Sequence, residues 1–484
     1  MAVFQKLFKQ TFIYGMATVL PRMLSFLLVL IHTKYLDGPI AYGRVSILFA
    51  WIIVFNVILA YGMETSFFRF INSNNSKNRV TSTSAISILV STLVFVGVFF
   101  IFKNFIASLL ELDVEFIVYV LGILALDALV IIPFANLRAD ERPLRYSIIK
   151  IINVLIYVGL NIFFLVILPE FSDKSKLFSA IFIKDFQVQY IFISNLIASA
   201  FTFILMFPFY FKMEYHFDKK LWNRMIIYGL PILVSGLAFA INEHFDKILL
   251  EWIIGGDEGL FDSGAYSACY KLALFMTLFA TAFRLGVEPF FFSHANDKNA
   301  PETYAVITRY FVALGCLILI GVITFSDFLK EFMIRNSEYW IAMSIVPIIL
   351  LANLCLGIYH NLSVWYKITD RTKFGAYISF LGAIITLILN VILIPHYSYL
   401  GSAIATLAAY GVMMVVSWYL GRKYYPIPYD MIRICLYLIT AIVFSAISFY
   451  VAKGNYWISI PLLLVFLVIL FTSEKRELKQ LFNK

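Results

Sequence analysis

The sequence predicts an all-α polytopic membrane protein with about fourteen transmembrane helices, two six-helix lobes followed by two C-terminal helices. Three observations predict it. Of the 484 residues, 62% are hydrophobic and only 14% charged, with a mean hydropathy of +0.87, more apolar surface than a water-soluble domain can bury. Apolar runs near 20 residues recur along the whole chain, the length a helix needs to cross about 30 Å of hydrocarbon. Finally, with the N-terminus placed in the cytoplasm, the inner loops carry 25 of the 38 Lys and Arg and the outer loops 9, with four inside the spans. That is the positive-inside bias, and it puts both termini in the cytoplasm.

In chain order, Lys6 and Lys9 precede an apolar run from Phe12 to Ile31 with no small-residue cleavage site after it. It reads as a retained first helix rather than a removed signal peptide. The expected spans are 11–31, 45–68, 82–102, 114–136, 147–168, 190–211, 225–252, 264–292, 303–325, 340–365, 373–394, 399–420, 431–452 and 455–472. The longest outer loop, from Pro169 to about Gln189, is too small for a catalytic domain. Midway, Lys212–Arg224 mixes charges with Tyr215, His216 and Trp222 and reads as an amphipathic linker at the interface. The expected division is therefore an N-terminal lobe 1–211, a linker 212–224, a C-terminal lobe 225–420, and a last helical pair with a cytoplasmic tail, 421–484. An acidic outer turn, Asp257, Glu258 and Asp262 without a basic residue, agrees with the orientation.

Several chemistries are set aside. The +9 net charge is spread over short loops and forms no basic stripe, which excludes nucleic acid and suits anionic lipid. Cys269, Cys316, Cys355 and Cys435 are scattered singly, without metal or disulfide spacing. The six histidines share no close spacing, so no metal is expected. Gly255–Gly259 lacks the Lys-Ser/Thr of a phosphate loop.

What remains are charges where apolar helices exclude them: Arg22, Glu64, Asp127, Glu243, Asp246, Lys247, Lys271, Arg284 and Glu288, with His244 and Glu251 nearby. At about 2.5 kcal/mol or more each at mid-bilayer, nine would cost on the order of 20 kcal/mol facing lipid. That exceeds the roughly 5–15 kcal/mol of a typical fold, so most are expected to line a shared polar cavity. Arg284 and Glu288, and Glu243 and Lys247, are four apart and so on one helical face, where they could neutralise each other. Asp246 and Lys247 read as an interfacial pair with Lys247 snorkelling to water. Lys271 has no carboxylate one turn away and points to the cavity.

A trace of repetition accompanies these charges. Tyr14-Gly15 is echoed by Tyr228-Gly229, Ala41-Tyr42-Gly43 by Gly264-Ala265-Tyr266-Ser267, and Asp140, Asn161 and Pro169 by Asp370, Asn390 and Pro395. Two parallel halves of this kind place a substrate site between them.

The stretches Leu20-Pro21-Arg22-Met23-Leu24-Ser25-Phe26, Tyr35-Leu36, Ala41-Tyr42-Gly43, Asp246-Lys247-Ile248-Leu249, Ala282-Phe283-Arg284 with Glu288-Pro289-Phe290, and Gly401-Ser402-Ala403-Ile404-Ala405-Thr406 resemble the Wzx-type polysaccharide flippases of the MOP superfamily, relatives of the lipid II flippases and the MATE exporters. The resemblance covers nearly the whole chain, although the Pro169–Gln189 loop is longer than the family pattern. It implies no enzyme but an alternating-access flippase in the bacterial cytoplasmic membrane. Its substrate would be an undecaprenyl-pyrophosphate-linked oligosaccharide, carried from the inner to the outer leaflet for O-antigen or capsule synthesis. It further implies a monomer among membrane lipids and other polysaccharide-assembly proteins. Arg22, Lys271, Arg284 and Lys247 are the candidate phosphate contacts, since guanidinium pairs bidentately with phosphate. Glu64, Asp127, Glu243, Asp246 and Glu288 are candidates for ion coupling or structural pairing; for Glu64 and Asp127 a bridge to Arg22 is expected. No cofactor is expected beyond a coupling H+ or Na+, because no nucleotide-binding motif is present. The rival readings are a MATE-like ion-coupled small-molecule exporter and a membrane glycan polymerase or ligase.

Overall fold

The computed structural model describes residues 23–24, 26–71, 76–294, 297 and 299–482. Among these the chain is 88% helical and without strands, as its composition predicts. Twelve helices are long and apolar enough to cross a membrane, and a shorter apolar one, Phe26–Tyr35, precedes them. We name the latter α1 and continue with α2 Gly38–Ile71, α3 Lys77–Ile101, α4 Val114–Ala139, α5 Pro143–Phe171, α6 Gln187–Lys212, α7 Lys219–Ile254, α8 Gly256–Glu288, α9 Ala300–Thr324 and α10 Ser337–Ile368.

The next segment, Lys373–Tyr424, has 52 residues, which as one rod would be about 78 Å long. It is two helices, α11 (373–397) and α12 (399–424), broken at Ser398 with φ 47° and ψ −131°. The hydroxyl of Ser402 donates to Asn390 Oδ1 at 2.7 Å, and a Cβ on Gly401 would lie 2.7 Å from the Leu393 backbone. Neither is compatible with a straight helix, so the chain doubles back. Met431–Ala452 and Tyr456–Lys475 complete the series as α13 and α14. With α1 as the end of the first expected span, every one of the fourteen expected positions carries a helix.

The chain forms two compact units, one of Met1–Asp37 with Ala41–Ile248, the other of Gly38–Ile40 with Leu249–Lys484. The packing boundary lies inside α7, later than the lobe boundary expected at 212–224. The reason is local. At the bend of α2, Tyr61 and Gly62 have φ of 31° and 71°, and Gly62 meets the backbone of Gly229 so closely that a Cβ there would lie 2.4 Å from its carbonyl oxygen. Ser66 Oγ donates to Met225 O at 2.9 Å, and Trp222 Nε1 to Ser87 Oγ at 2.7 Å. The linker itself is shorter than expected. Asp218 caps α7 nearly two turns early, accepting from the amides of Lys220 and Leu221, both at 3.0 Å. Those two amide bonds, the Leu221 bond foremost, hold the Asp218 carboxyl below the usual carboxylate range.

The repeat suggested by Asn161 and Asn390 has a structural counterpart inside each unit. Both are fully buried. Each donates Nδ2 to the carbonyl one turn back, Asn161 to Tyr157 at 2.8 Å and Asn390 to Thr386 at 2.7 Å. Each Oδ1 is engaged by another helix, by His32 Nε2 at 2.9 Å in the first unit and by Ser402 in the second. The ends of α4 and α10 match as well. Glu141 and Asp370 take left-handed φ of 52° and 55°, while Arg142 N and Arg371 N bond back to Leu137 O and Tyr366 O, the hydrogen bond of a Schellman end.

Candidate functional site

The charged candidates fall into both units, and within neither does one cavity hold them all. Arg22 lies outside the described residues. In the first unit the centre is Asp127, mid-membrane in α4. It accepts a hydrogen bond from Ser199 Oγ of α6 at 2.8 Å, and Asn56 of α2 and Lys150 of α5 interact with it from the other sides. The Lys150 ammonium sits 4.5 Å from the Phe134 ring centroid. Beside them Asn153 donates to Thr202 Oγ1 at 2.9 Å, and the group lines a cavity of about 530 Å³. Amides and hydroxyls from three helices, α2, α5 and α6, surround one carboxylate and one ammonium within apolar helices. The bridge expected from Asp127 to Arg22 lies outside the described residues. Lys150 lies inside the expected span 147–168 but only a few residues from its start, where sequence reading assigns cations to the loop.

Nearer the helix ends, Glu64 pairs with Arg138 of α4, so its expected helix-to-helix bridge is made to Arg138. The Arg138 guanidinium also lies 4.9 Å from the Phe68 ring and 5.7 Å from that of Tyr146. Both charges of this pair are partly exposed, which limits its worth to about 1 kcal/mol or less.

On α7, Asp246 is 2% exposed and Lys247 12%, with Lys247 Nζ 3.1 Å from Asp246 Oδ1. The snorkelling expected of Lys247 is thus corrected. Its chain folds back onto the preceding carboxylate, because a buried ammonium gains more from a charged acceptor than from a long reach to water. Glu243 lies one turn earlier on the same helix and is partly buried.

In the second unit, Glu288 of α8 pairs with Lys367 of α10 at 2.6 Å, so of the two readings left open for Arg284 and Glu288 the same-helix pair is not the one formed. Arg284 lines the same small cavity, about 20 Å³, with His360, Asn361 and Ser363, and has no carboxylate within ion-pair reach among the described residues. Lys271 opens a 3-10 turn, Lys271–Ala273, that interrupts α8. Asn353 Nδ2 of α10 occupies the carbonyl of Ala273 at 3.3 Å. Lys271 is partly buried there and is not among the residues lining the Arg284 cavity.

A further charged cluster was missed in the sequence. Arg309, 5% exposed in α9, lies 3.0 Å from Glu474 Oε2 of α14 and 3.8 Å from Asp430. Arg433 reaches Asp430 at 3.2 Å and Glu474 at 3.7 Å, and Tyr437 OH donates to Glu474 Oε1 at 2.7 Å. Arg309 lies within the expected span 303–325, which was the available signal. Glu474 lies two residues past the last expected span, and nothing in the sequence marks it as buried. Among the described residues no group of His, Cys, Asp and Glu could hold a metal ion.

Set against known proteins, the chain matches a family model described as "Polysaccharide biosynthesis protein" over residues 7–293 and the MatE model over 231–392. It is 22% identical over 426 residues to the capsular polysaccharide biosynthesis protein CapF of Staphylococcus aureus, covering 84% of this chain and 97% of that one. Among solved structures it is similar to the lipid II flippase MurJ in an inward closed conformation, with TM-score 0.73, 16% identity and coverage of 95% of this chain and 99% of that one. It is also similar to an inward-facing multidrug resistance MATE transporter of the MOP superfamily, with TM-score 0.62, 13% identity and coverage of 87% and 96%. The two structural likenesses concern the fold. The family match over more than half its length makes this chain a member of the polysaccharide biosynthesis protein family.

Proposed function

We propose that the protein flips an undecaprenyl-pyrophosphate-linked oligosaccharide from the inner to the outer leaflet of a bacterial cytoplasmic membrane by alternating access. The observation that carries the reading is Arg284, a guanidinium held within an apolar span with no carboxylate partner among the described residues, in a chain of this family. An unpaired cation within an apolar span is costly and finds its counter-charge in a substrate phosphate. Arg22, Lys271 and Lys247 are the further candidate contacts; Lys247 would have to release Asp246 to serve. The CapF relative supports a glycan cargo, and MurJ, a lipid II flippase with the same fold, supports a lipid-linked one. The cavity around Asp127 and Lys150 is the proposed seat of coupling to an H+ or Na+ gradient, because opening that pair frees a carboxylate for either ion. Alternating access then needs only that substrate and ion bind the two states with different affinity.

Arg284→Ala and Arg22→Ala test the reading. Losing a charged hydrogen-bond partner costs about 1.5–3 kcal/mol, so each variant should slow flipping roughly 10- to 100-fold. Surface glycan should fall while full-length lipid-linked precursor accumulates on the inner leaflet. Precursor already outside but unpolymerised would favour a glycan polymerase or ligase. The MatE match over 231–392 keeps a second reading, an ion-coupled small-molecule exporter. Unchanged surface glycan together with lost efflux of cationic compounds would replace the flippase with it.

A further inference from the structure

A second cavity of the first unit, about 370 Å³, lies at the loop-facing ends of α3, α4, α5 and α6, away from Asp127. Its charges do not cancel. Lys77 is held by Asp140, which also accepts from Asn136 Nδ2 at 3.2 Å. That leaves Arg142, Arg145 and Lys212 facing the single carboxylate of Glu214, and among the described residues none of the three cations makes an ion pair. A second observation is independent of charge. Thr81, also on the wall, is only 8% exposed, and its hydroxyl has no hydrogen-bond partner among the described residues. Buried hydroxyls are seldom left so, and this one would be satisfied by an acceptor seated among the three cations.

The surroundings identify the acceptor's source. Phe211, next to Lys212, is 77% exposed, and Leu144, between the two arginines, 62%. These apolar side chains place the cavity at the boundary of water and hydrocarbon, on the side that the loop charges assign to the cytoplasm. The anionic groups at that level are lipid phosphates. We propose that this cavity binds the phosphate headgroup of an anionic glycerophospholipid. Arg142 and Arg145 hold the phosphate oxygens, Lys212 adds charge, Thr81 donates to one oxygen, and the acyl chains lie along the apolar fringe. The inference rests on the membrane-spanning fold and the expected orientation, and is independent of the cargo.

The test uses the full-length protein in nanodiscs of phosphatidylcholine with and without phosphatidylglycerol, and inorganic pyrophosphate in solution as the soluble arm. Native mass spectrometry counts retained phosphatidylglycerol, and a thermal shift reports binding. Wild type should retain phosphatidylglycerol and be stabilised by it. At roughly fivefold per cation near an anionic headgroup, Arg142→Gln with Arg145→Gln should weaken retention about 25-fold; Thr81→Val should weaken it less, and Lys219→Gln, outside the cavity, not at all. If the double variant does not fold, Lys212→Gln, at an exposed position, carries the same comparison. Equal retention by wild type and variants overturns the site. A shift with pyrophosphate that phosphatidylglycerol does not reproduce overturns the lipid and assigns a soluble phosphate compound instead.

Discussion

Whether an ionised side chain in a membrane span is a site or a strut depends on what faces it. Arg309 and Glu474 are struts: both are buried and paired with each other, Arg309 also with Asp430 and Glu474 also with Arg433 and Tyr437. Removing one member of a buried pair leaves the other uncompensated, at about 3–5 kcal/mol. Arg309→Ala should therefore lower the thermal midpoint of the detergent-solubilised protein strongly, whereas Arg309→Met with Glu474→Met should recover most of the loss. A double variant no better than the single would mean that the cluster's worth lies elsewhere. Arg284 is the opposite case, a cation that makes no ion pair among the described residues, the nearby Glu288 being paired with Lys367. Both residues are cations within apolar runs, and only their neighbours from other helices distinguish strut from site.

At the scale of elements, backbone contacts set how closely helices approach. A Cβ on Gly229 would sit 2.8 Å from Tyr61 O, and backbone cannot step aside as a side chain can. Gly229→Ala should cost about 1–3 kcal/mol. Gly97, whose added Cβ meets nothing within 4 Å, should tolerate alanine or gain about 0.5–1 kcal/mol in helix propensity; thermal unfolding of the two variants side by side checks both. The start of α7 carries a pH dependence. Because the folded Asp218 carboxyl is held below its ordinary value, its capping is fully present above the ordinary carboxylate range. It is lost as pH falls through the lowered folded value. Amide exchange in the first turn of α7 should therefore quicken on acidification. Asp218→Asn, an equally good cap that does not titrate, should remove that dependence. Identical acid profiles for wild type and variant would show that Asp218 is not what anchors the turn. The mixed charges of 212–224 read as a linker, yet α7 begins at Lys219 rather than at 225. The charged turn 219–224 is helical because the serine- and threonine-rich start of α3 holds it, through Trp222 and Ser87 and through Thr83 Oγ1, which accepts from Asp218 N at 3.2 Å.

At the scale of the whole molecule, the loop charges predict an orientation that labelling can check. Of the four cysteines only Cys435 is exposed, so a Cys435→Ser background is clean. In it, Lys174→Cys should react with a membrane-impermeant maleimide in intact cells, and Lys219→Cys only after permeabilisation. The reverse pattern would invert the protein and, with it, the proposed direction of transport.

Sequence alone determined the class, the number and places of the helices, and the identity of most intramembrane charges. Each of these follows from local quantities: run length against bilayer thickness, and the cost of a charge in hydrocarbon. Tertiary structure decided the partners, Glu64 with Arg138, Glu288 with Lys367, Arg309 with Glu474, and Asp127 with Ser199 beside Lys150. Electrostatic pairing depends on distances of a few ångströms between helices far apart in the chain, and no spacing along one helix encodes those distances.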